Sequence, residues 1–503
     1  MNKTLASKKV LHSVQDIKAH FAHNSVPLFF ISASNFNMMG MHEWVKNWHN
    51  INLLDCYDGA HPCALVIADD HAQVFEGIED VNRYLLNSSA TRELIARAKK
   101  QSGGPAQALF LFFDPQIEDL CEGLGLEVVL PKNALVREID SKIVTTEIGN
   151  AAGVASVPNV LARVSSYADL QALAEQAGLG SRWVIQTAYG DSGKTTFFIA
   201  CEADYNAVAQ QIQAQDKVKV MRWLRCVGTA IEACATRWGT FVGPLLSEMI
   251  GIESLTPYRG GWCGNEVDQV AFGADVRRQV QQKSQAMGDA LYQRGYRGYF
   301  ELDFLLDIDT GEVFLGELNA RISGVSALTN MSDYAMAQIP LFLFHLLEYD
   351  PAIDLTLDVA QFNQAMQEQG AQGVSVQLIL KYTGAELQHL TQAPVSGVYA
   401  LQDDGTLQFE AASVNRRDAL GANQAYVLRI MSAGECVYHG ADLAIMFVNE
   451  VVRSADGALN AAGVRWVNAL KAQFPSRPLN QQERALIELA HNPANVKSAR
   501  TQP

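Results

Sequence analysis

The stretch YFELDFLLDIDTGEVFLGELNARISG, residues 299 to 324, holds the densest set of groups able to do chemistry. Two strand-like runs flank the turn Asp309-Thr310-Gly311. Side chains alternate faces along a strand, so Glu317, Asn319 and Arg321 project together. Pairing symmetric about the turn sets Asp303 opposite Glu317 and Glu301 opposite Asn319, at cross-strand distances of roughly 5 Å. The other face, Leu302, Phe304, Leu306, Phe314 and Leu318, is apolar and reads as buried. Leu305, Val313 and Leu315 share the acidic face and limit its solvation. Carboxylates gathered on partly covered backbone repel one another unless a cation sits among them, and hard oxygen donors of this kind suit Mg²⁺. Asp303, Glu317 and Asn319, with Glu301 as the fallback ligand, form the candidate metal site. A half-exposed hairpin with solvated acids is the plainer reading of the same spacing.

A second candidate is the loop YGDSGKTTFF, residues 189 to 198. A phosphate-binding P-loop needs Gly at 188, where this chain has Ala188, and must open a helix, whereas TTFFIA reads as a strand. The P-loop NTPase class is excluded. A loop between two strands, with backbone N–H groups freed by Gly190 and Gly193 and with Ser192, Lys194 and Thr195 beside them, can instead fold over a triphosphate as a lid. An ordinary hairpin turn also fits.

These groups must be positioned by a large scaffold. At about 150 residues per domain, 503 residues imply roughly three to four domains. Apolar residues at 48% and charged residues at 18% exclude a disordered or fibrous chain. A net charge of -15 opposes a polyanionic partner, so neither nucleic acid nor an acidic membrane surface is expected as the main ligand. The eight cysteines show no C-x-x-C pair and no zinc-ligand spacing, and read as free thiols. The first residues lack a signal-peptide core, and the longest apolar patch, Ile339 to Leu347, falls far short of the ~20 residues that span a bilayer. A cytoplasmic protein is expected.

The fold class read from the pattern is α/β multidomain. Over residues 27 to 130, VPLFFIS, INLLDCYD, CALVIADD, QALFLFFD and LEVVLP read as buried strands of a parallel sheet, giving an N-terminal α/β domain at 1–135. A helix ending near Gly153, a helix over Tyr167 to Gly178 and the runs RWVIQTA and KTTFFIA make a small helix-and-hairpin unit at about 145–220. A long helix, Val276 to Gln293, precedes the acidic hairpin, and the whole of 136–350 is taken as one domain. VSVQLIL, GVYAL, TLQFE, AYVLRI and LAIMFV give a β-rich C-terminal domain at 351–475, followed by a helical segment and polar tail at 476–503.

Taken in order, DSKIVTTEIGNAAGVASVP, VIQTAYGDSGKTTFFI and FELDFLLDIDTGEVFLGELNAR resemble the ATP-grasp superfamily, in its biotin-carboxylase-like branch. The resemblance covers about residues 5 to 475. It implies an ATP-grasp domain with a mobile lid, ATP with two magnesium ions as cofactors, and a possible homodimer. It places Lys142 on the nucleotide phosphates, Asp303, Glu317 and Asn319 on metal, and Arg321 beside the reacting groups. The family's lid strand reads V-V-K-P, where this chain reads Val184-Ile185-Gln186-Thr187; Lys194 is the expected substitute for the lysine absent at Gln186. The adenine hinge corresponds to Lys219-Val220-Met221-Arg222-Trp223-Leu224, where adenine is expected to bind through the backbone, stacked among Met221 and Leu224, with Arg222 counted among the ATP-binding residues. Glu232 would point to the phosphates or substrate, or stand as a buried structural acid.

The implied reaction is phosphorylation of a carboxylate by ATP, followed by attack of an amine on the acyl phosphate. Biotin carboxylase carries an acidic-then-basic run where this chain reads LLSEMIGIESLTPYRGGWCGNEV, residues 245 to 267, with Arg259 as its only base. That disfavours bicarbonate. Arg259, Trp262 and Asn265, with Arg321, Ser323 and Gly324, are the candidate contacts to a larger organic substrate such as an amino acid. Three readings stand: a carboxylate-amine ligase, a biotin-type carboxylase, and a catalytically silent nucleotide-binding regulator.

Overall fold

The five apolar runs between residues 27 and 130 form a parallel sheet in the computed structural model. The order is Ala64–Val66, Trp48–Asn52, Leu28–Ser32, Ala106–Phe110, Leu126–Val128. The residues described are 8–68, 75–190, 195–268, 272–369, 373–419 and 421–490. Leu28–Ser32 is buried along its whole length, as a strand covered on both faces by helices must be. Among the described residues no helix is long and apolar enough to cross a membrane.

The chain divides into two units. The first comprises Met1–Val14, Pro131–Glu248 and Asn265–Gly373; the second comprises Gln15–Leu130, Met249–Gly264 and Val374–Pro503. Residues 351–373, assigned by sequence to the C-terminal domain, fall in the first unit. Strand Ile353–Leu355 pairs there with Lys9–Leu11, and Asn363 of helix Val359–Gln369 accepts from the Val242 N–H and donates to the Thr240 carbonyl.

Within the first unit, strands Val313–Asn319, Gly298–Asp307, Cys226–Thr236 and Gly239–Ile250 pair antiparallel in that order. Helix Ala274–Gln293 covers one face, burying Val280, Met287 and Leu291 against Ile231, Phe300 and Phe304. A smaller antiparallel sheet runs Asn159–Ala162, Val218–Arg222, Trp183–Gln186, Thr196–Ile199. Its core, Ile185, Phe197, Val218 and Val220, is closed by Leu170 and Ala174 of helix Tyr167–Gln176 and by Tyr205 and Ile212 of helix Glu202–Gln213. The alternate residues of the same strands are left facing the other way.

In the second unit the β-rich block orders as Val374–Lys381, Asp442–Val448, Gln424–Arg429, Gly397–Leu401, Leu407–Ala412, all antiparallel. Arg429 donates to the Asp55 carbonyl at 2.7 Å and Ser396 Oγ to that of Cys56 at 2.5 Å, which ties this block to the parallel sheet within one unit. All eight cysteines are free.

Candidate functional site

The acidic hairpin pairs as its spacing predicts, Glu301 opposite Asn319 and Asp303 opposite Glu317. Asn319 Nδ2 donates to Asp303 Oδ2 at 3.3 Å. Beyond that pair the register shifts: Phe304 faces Leu315, and Gly316 is the extra residue of a β-bulge. One extra residue inverts side-chain parity, which corrects the expected facing of the strand's first half. Val313 and Leu315 turn into the core with Leu302, Phe304 and Leu318. Phe314 crosses to the acidic face, where it clusters with Val157 and Met221, beside Val184, Leu224 and Leu305. An apolar cluster therefore shares the acidic face.

Burial pushes the Glu301 carboxyl up to about 7, with Glu232 and Glu317 adding to the rise and Ser323 and Arg321 opposing it. Asp303 is driven well above the usual carboxylate range by burial and then by Glu248, Glu301 and Glu317, against Arg321. Its Oδ1 is enclosed without a hydrogen-bond partner. Among the described residues no group of three or more His, Cys, Asp or Glu side chains is disposed to hold a metal ion. The fit to a divalent cation rests on the donor set itself: mutually repelling oxygens, one of them orphaned. Glu248 was not singled out from sequence. Its carboxylate lies over Gly228, 2.5 Å from where a Cβ would stand, so the absence of a side chain there admits it. The only signal was a carboxylate within an otherwise apolar strand.

Lys142 opens the helix Lys142–Ala151. Its side chain is 4% exposed; Nζ lies 2.7 Å from Glu317 Oε1 and 2.9 Å from the Gly190 carbonyl. The Lys142 N–H, otherwise an orphan at a helix start, donates to the Ala188 carbonyl at 2.8 Å. Gly149 allows the helix its close approach, since a Cβ there would meet Leu315 Cδ2 at 2.7 Å. Lys142, expected on the nucleotide phosphates, is thus held against Glu317 of the acidic hairpin.

Lys219 was not assigned a role from sequence. It sits on Val218–Arg222 directly across from Gln186, so the two side chains share a face. Lys219 is completely buried, and Nζ donates to Ser156 Oγ at 3.1 Å. Burial pushes the ammonium down to about 7, opposed by Glu317 and reinforced by Lys142. Gln186 Nε2 donates to Thr196 Oγ1 at 3.2 Å, while its Oε1 is buried without a partner. Met221, two residues on, continues the Lys219 face into the apolar cluster. Arg222 points the other way, exposed, with its guanidinium 3.3 Å from the Gly178 carbonyl and its N–H on that of Pro158. Strand alternation therefore removes the Arg222 side chain from the expected ATP contacts.

Gly190 has a φ of 148°, and Thr195 crowds it. Ser192, Gly193 and Lys194, the expected lid tip, lie outside the described residues. Of the two readings of Glu232, the geometry matches the buried structural acid. Completely buried, it accepts from Tyr299 Oη at 2.5 Å, Ser323 Oγ at 3.1 Å and Ser326 Oγ at 2.5 Å. Ser323, expected on substrate, is buried, donates to Glu232 and also hydrogen-bonds Glu301. Arg321 acts electrostatically on Glu301 and Asp303, and Gly324 follows in the same loop. Asn265 is buried on strand Trp262–Asp268, its Nδ2 toward the Ser247 carbonyl at 3.5 Å, rather than in an open loop. Arg259 and Trp262 belong to the second unit; Arg259 is exposed in the turn closed by Gly251 N–H to the Gly261 carbonyl at 2.9 Å.

No protein-family model and no curated protein matches the sequence. Solved structures do match in fold. The biotin carboxylase of Campylobacter jejuni, solved as a β,γ-ATP complex, superposes with a TM-score of 0.59 at 11% identity, covering 94% of this chain and 97% of that one. The biotin carboxylase domain dimer of Hydrogenobacter thermophilus 2-oxoglutarate carboxylase, with MgADP, ADP and bicarbonate, gives 0.57 at 12% identity over 94% and 96%. Carboxyaminoimidazole ribonucleotide synthase from Aspergillus clavatus, complexed with ATP, gives 0.51 at 11% identity over 89% and 99%. The chain has an ATP-grasp fold of the biotin-carboxylase-like kind.

Proposed function

We propose that this chain is an ATP-dependent carboxylate-amine ligase that forms an amide through an acyl phosphate and releases ADP and phosphate, with an amino acid as one substrate. The observation that carries the reading is the meeting of buried Lys142 with Glu317 of the acidic hairpin, on a hairpin whose Phe314 packs in an apolar cluster with Met221 and Leu224. A carboxylate is a poor electrophile, and the γ-phosphoryl group supplies the leaving group that amide formation needs. In this reading the adenine ring packs against the Met221 and Leu224 cluster, Lys142 neutralises the phosphate chain, and Arg321 stabilises the anionic intermediate as the amine attacks. Asp303, Glu317 and Asn319, with Glu301, would hold two magnesium ions, which when bound neutralise charge on the transferring phosphoryl group. The loop around Lys194 would exclude water, because acyl phosphates hydrolyse.

A second reading, carboxylation of an amine with bicarbonate, draws on the fold neighbours, among them biotin carboxylases. The purified protein with ATP and Mg²⁺ separates the two. Phosphate release is measured against amino-acid pairs and, separately, against bicarbonate with biotin, with products read by mass spectrometry. An amide with ADP is expected. Bicarbonate-dependent ADP release that ignores every amine would establish the second reading, and ATP bound without any stimulated turnover would indicate a nucleotide-binding regulator.

A further inference from the structure

We propose that Lys219, reaching from the strand next to Gln186, is a phosphate-binding cation of the nucleotide site and takes over the charge that Gln186 does not provide. The inference rests on the proposed use of ATP and goes beyond it in assigning a residue and a strand.

Three observations converge. The first is placement: Lys219 and Gln186 are cross-strand partners, so an ammonium carried by either residue emerges on the same face of the small sheet, about 5 Å apart. The second is deficiency. A buried ammonium has three donors, and among the described residues Lys219 has one hydrogen-bond partner, a neutral hydroxyl on Ser156. Beside it the Gln186 Oε1 is buried and unpaired. An uncompensated buried charge costs several kcal/mol and is retained where a counter-charge arrives. The third is the company it keeps. Lys142 lies close enough to depress the Lys219 ammonium, and the one acid acting on Lys219, Glu317, is already paired with Lys142 at 2.7 Å. Two cations thus share one carboxylate. The deficit is of negative charge, and the chemistry that fills it is a polyanion with several acceptor oxygens, as the phosphates of a nucleotide are.

The test is binding of Mg-ATP, ADP and adenosine to the full chain by calorimetry, with thermal unfolding of the nucleotide-free protein. Lys219→Met is expected to weaken ATP by about tenfold or more and to leave adenosine unchanged, since only phosphate contacts are lost. Removing a poorly compensated buried charge leaves the nucleotide-free melting temperature the same or higher; a lysine with a purely structural role would lower it. The exchange Gln186→Lys with Lys219→Met returns the cation to the same face and is expected to recover most of the ATP affinity. Should Lys219→Met fail to fold, Lys219→Gln, which can keep the Ser156 hydrogen bond, carries the same expectation. Undiminished ATP binding in the folded single variant overturns the proposal alone. A folded wild-type chain that binds adenosine nucleotides not at all overturns the ATP reading, and this proposal with it.

Discussion

Asp303 concentrates the conflict on which the candidate site is built. It is held near Glu248, Glu301 and Glu317, with one oxygen enclosed and unpaired, and burial and like charges both favour its neutral form. Such a group destabilises the ion-free protein and becomes favourable only with a cation among the acids. Asp303→Asn keeps the shape and the Asn319 contact while removing the charge. It is expected to raise the stability of the magnesium-free protein by about 1 kcal/mol and to lower ATP turnover by roughly a hundredfold. Urea unfolding in chelator and a phosphate-release assay measure the two effects, and an Asn variant that retains full turnover at saturating magnesium removes the metal assignment. Glu232 is the contrast at this scale: an acid on the same sheet, but with three hydroxyls already turned toward it.

The hairpin's bulge is the decisive feature among the elements. Phe314 and Leu315 are neighbours in sequence, yet the bulge sends Phe314 to the apolar cluster with Met221 and Leu315 to the core with Leu302 and Phe304. Their truncations therefore separate. Phe314→Ala is expected to weaken ATP binding several-fold with a small loss of stability. Leu315→Ala is expected to cost about 3 kcal/mol of stability and to leave ATP affinity unchanged in the folded fraction. Calorimetric ATP affinities alongside denaturant midpoints check this, and the reverse assignment of the two effects would mean the hairpin pairs without the extra residue. The pairing of Asp303 with Glu317 was legible because turn and alternation are local. The reversal beyond Gly316 was not, because a bulge is a property of two strands together and leaves no mark on the alternation of one.

Over the whole molecule, acid stability has an identifiable contributor in the second unit. His61 is 7% exposed and lines a cavity of about 20 Å³ with Asn35, Asn52, Cys56 and Tyr57. Burial, and then His42 with its ring 4.7 Å away, pushes His61 down to about 4. Its Nδ1 accepts from the Cys63 N–H at 3.1 Å, a bond that protonation would abolish. A histidine whose folded pKa lies below the unfolded value near 6.5 contributes stability that is complete above that pH and is lost as pH falls toward 4, by up to about 3 kcal/mol. Urea midpoints at pH 7 and pH 5 should differ more for the wild type than for His61→Gln. Equal pH dependence in both proteins would show that His61 titrates normally.

What the sequence determined by itself was short-range: the five apolar runs that became the parallel sheet, the acids sharing a hairpin face, the lysine opening a helix, and the order of pieces that resembles an ATP-grasp chain. Each follows from alternation, helix periodicity or turn chemistry within a few residues. Tertiary structure decided which distant residues share a face. Lys219 lies 33 positions from Gln186 and meets it only through strand register, and Glu248 enters the acidic group from a third strand over a glycine. Ser323 and Glu232 meet across 91 residues, which decides between the two readings of Glu232 in favour of the internal acid. Burial decides whether a charged side chain serves a ligand or its neighbours, and burial depends on long-range packing that local spacing does not encode.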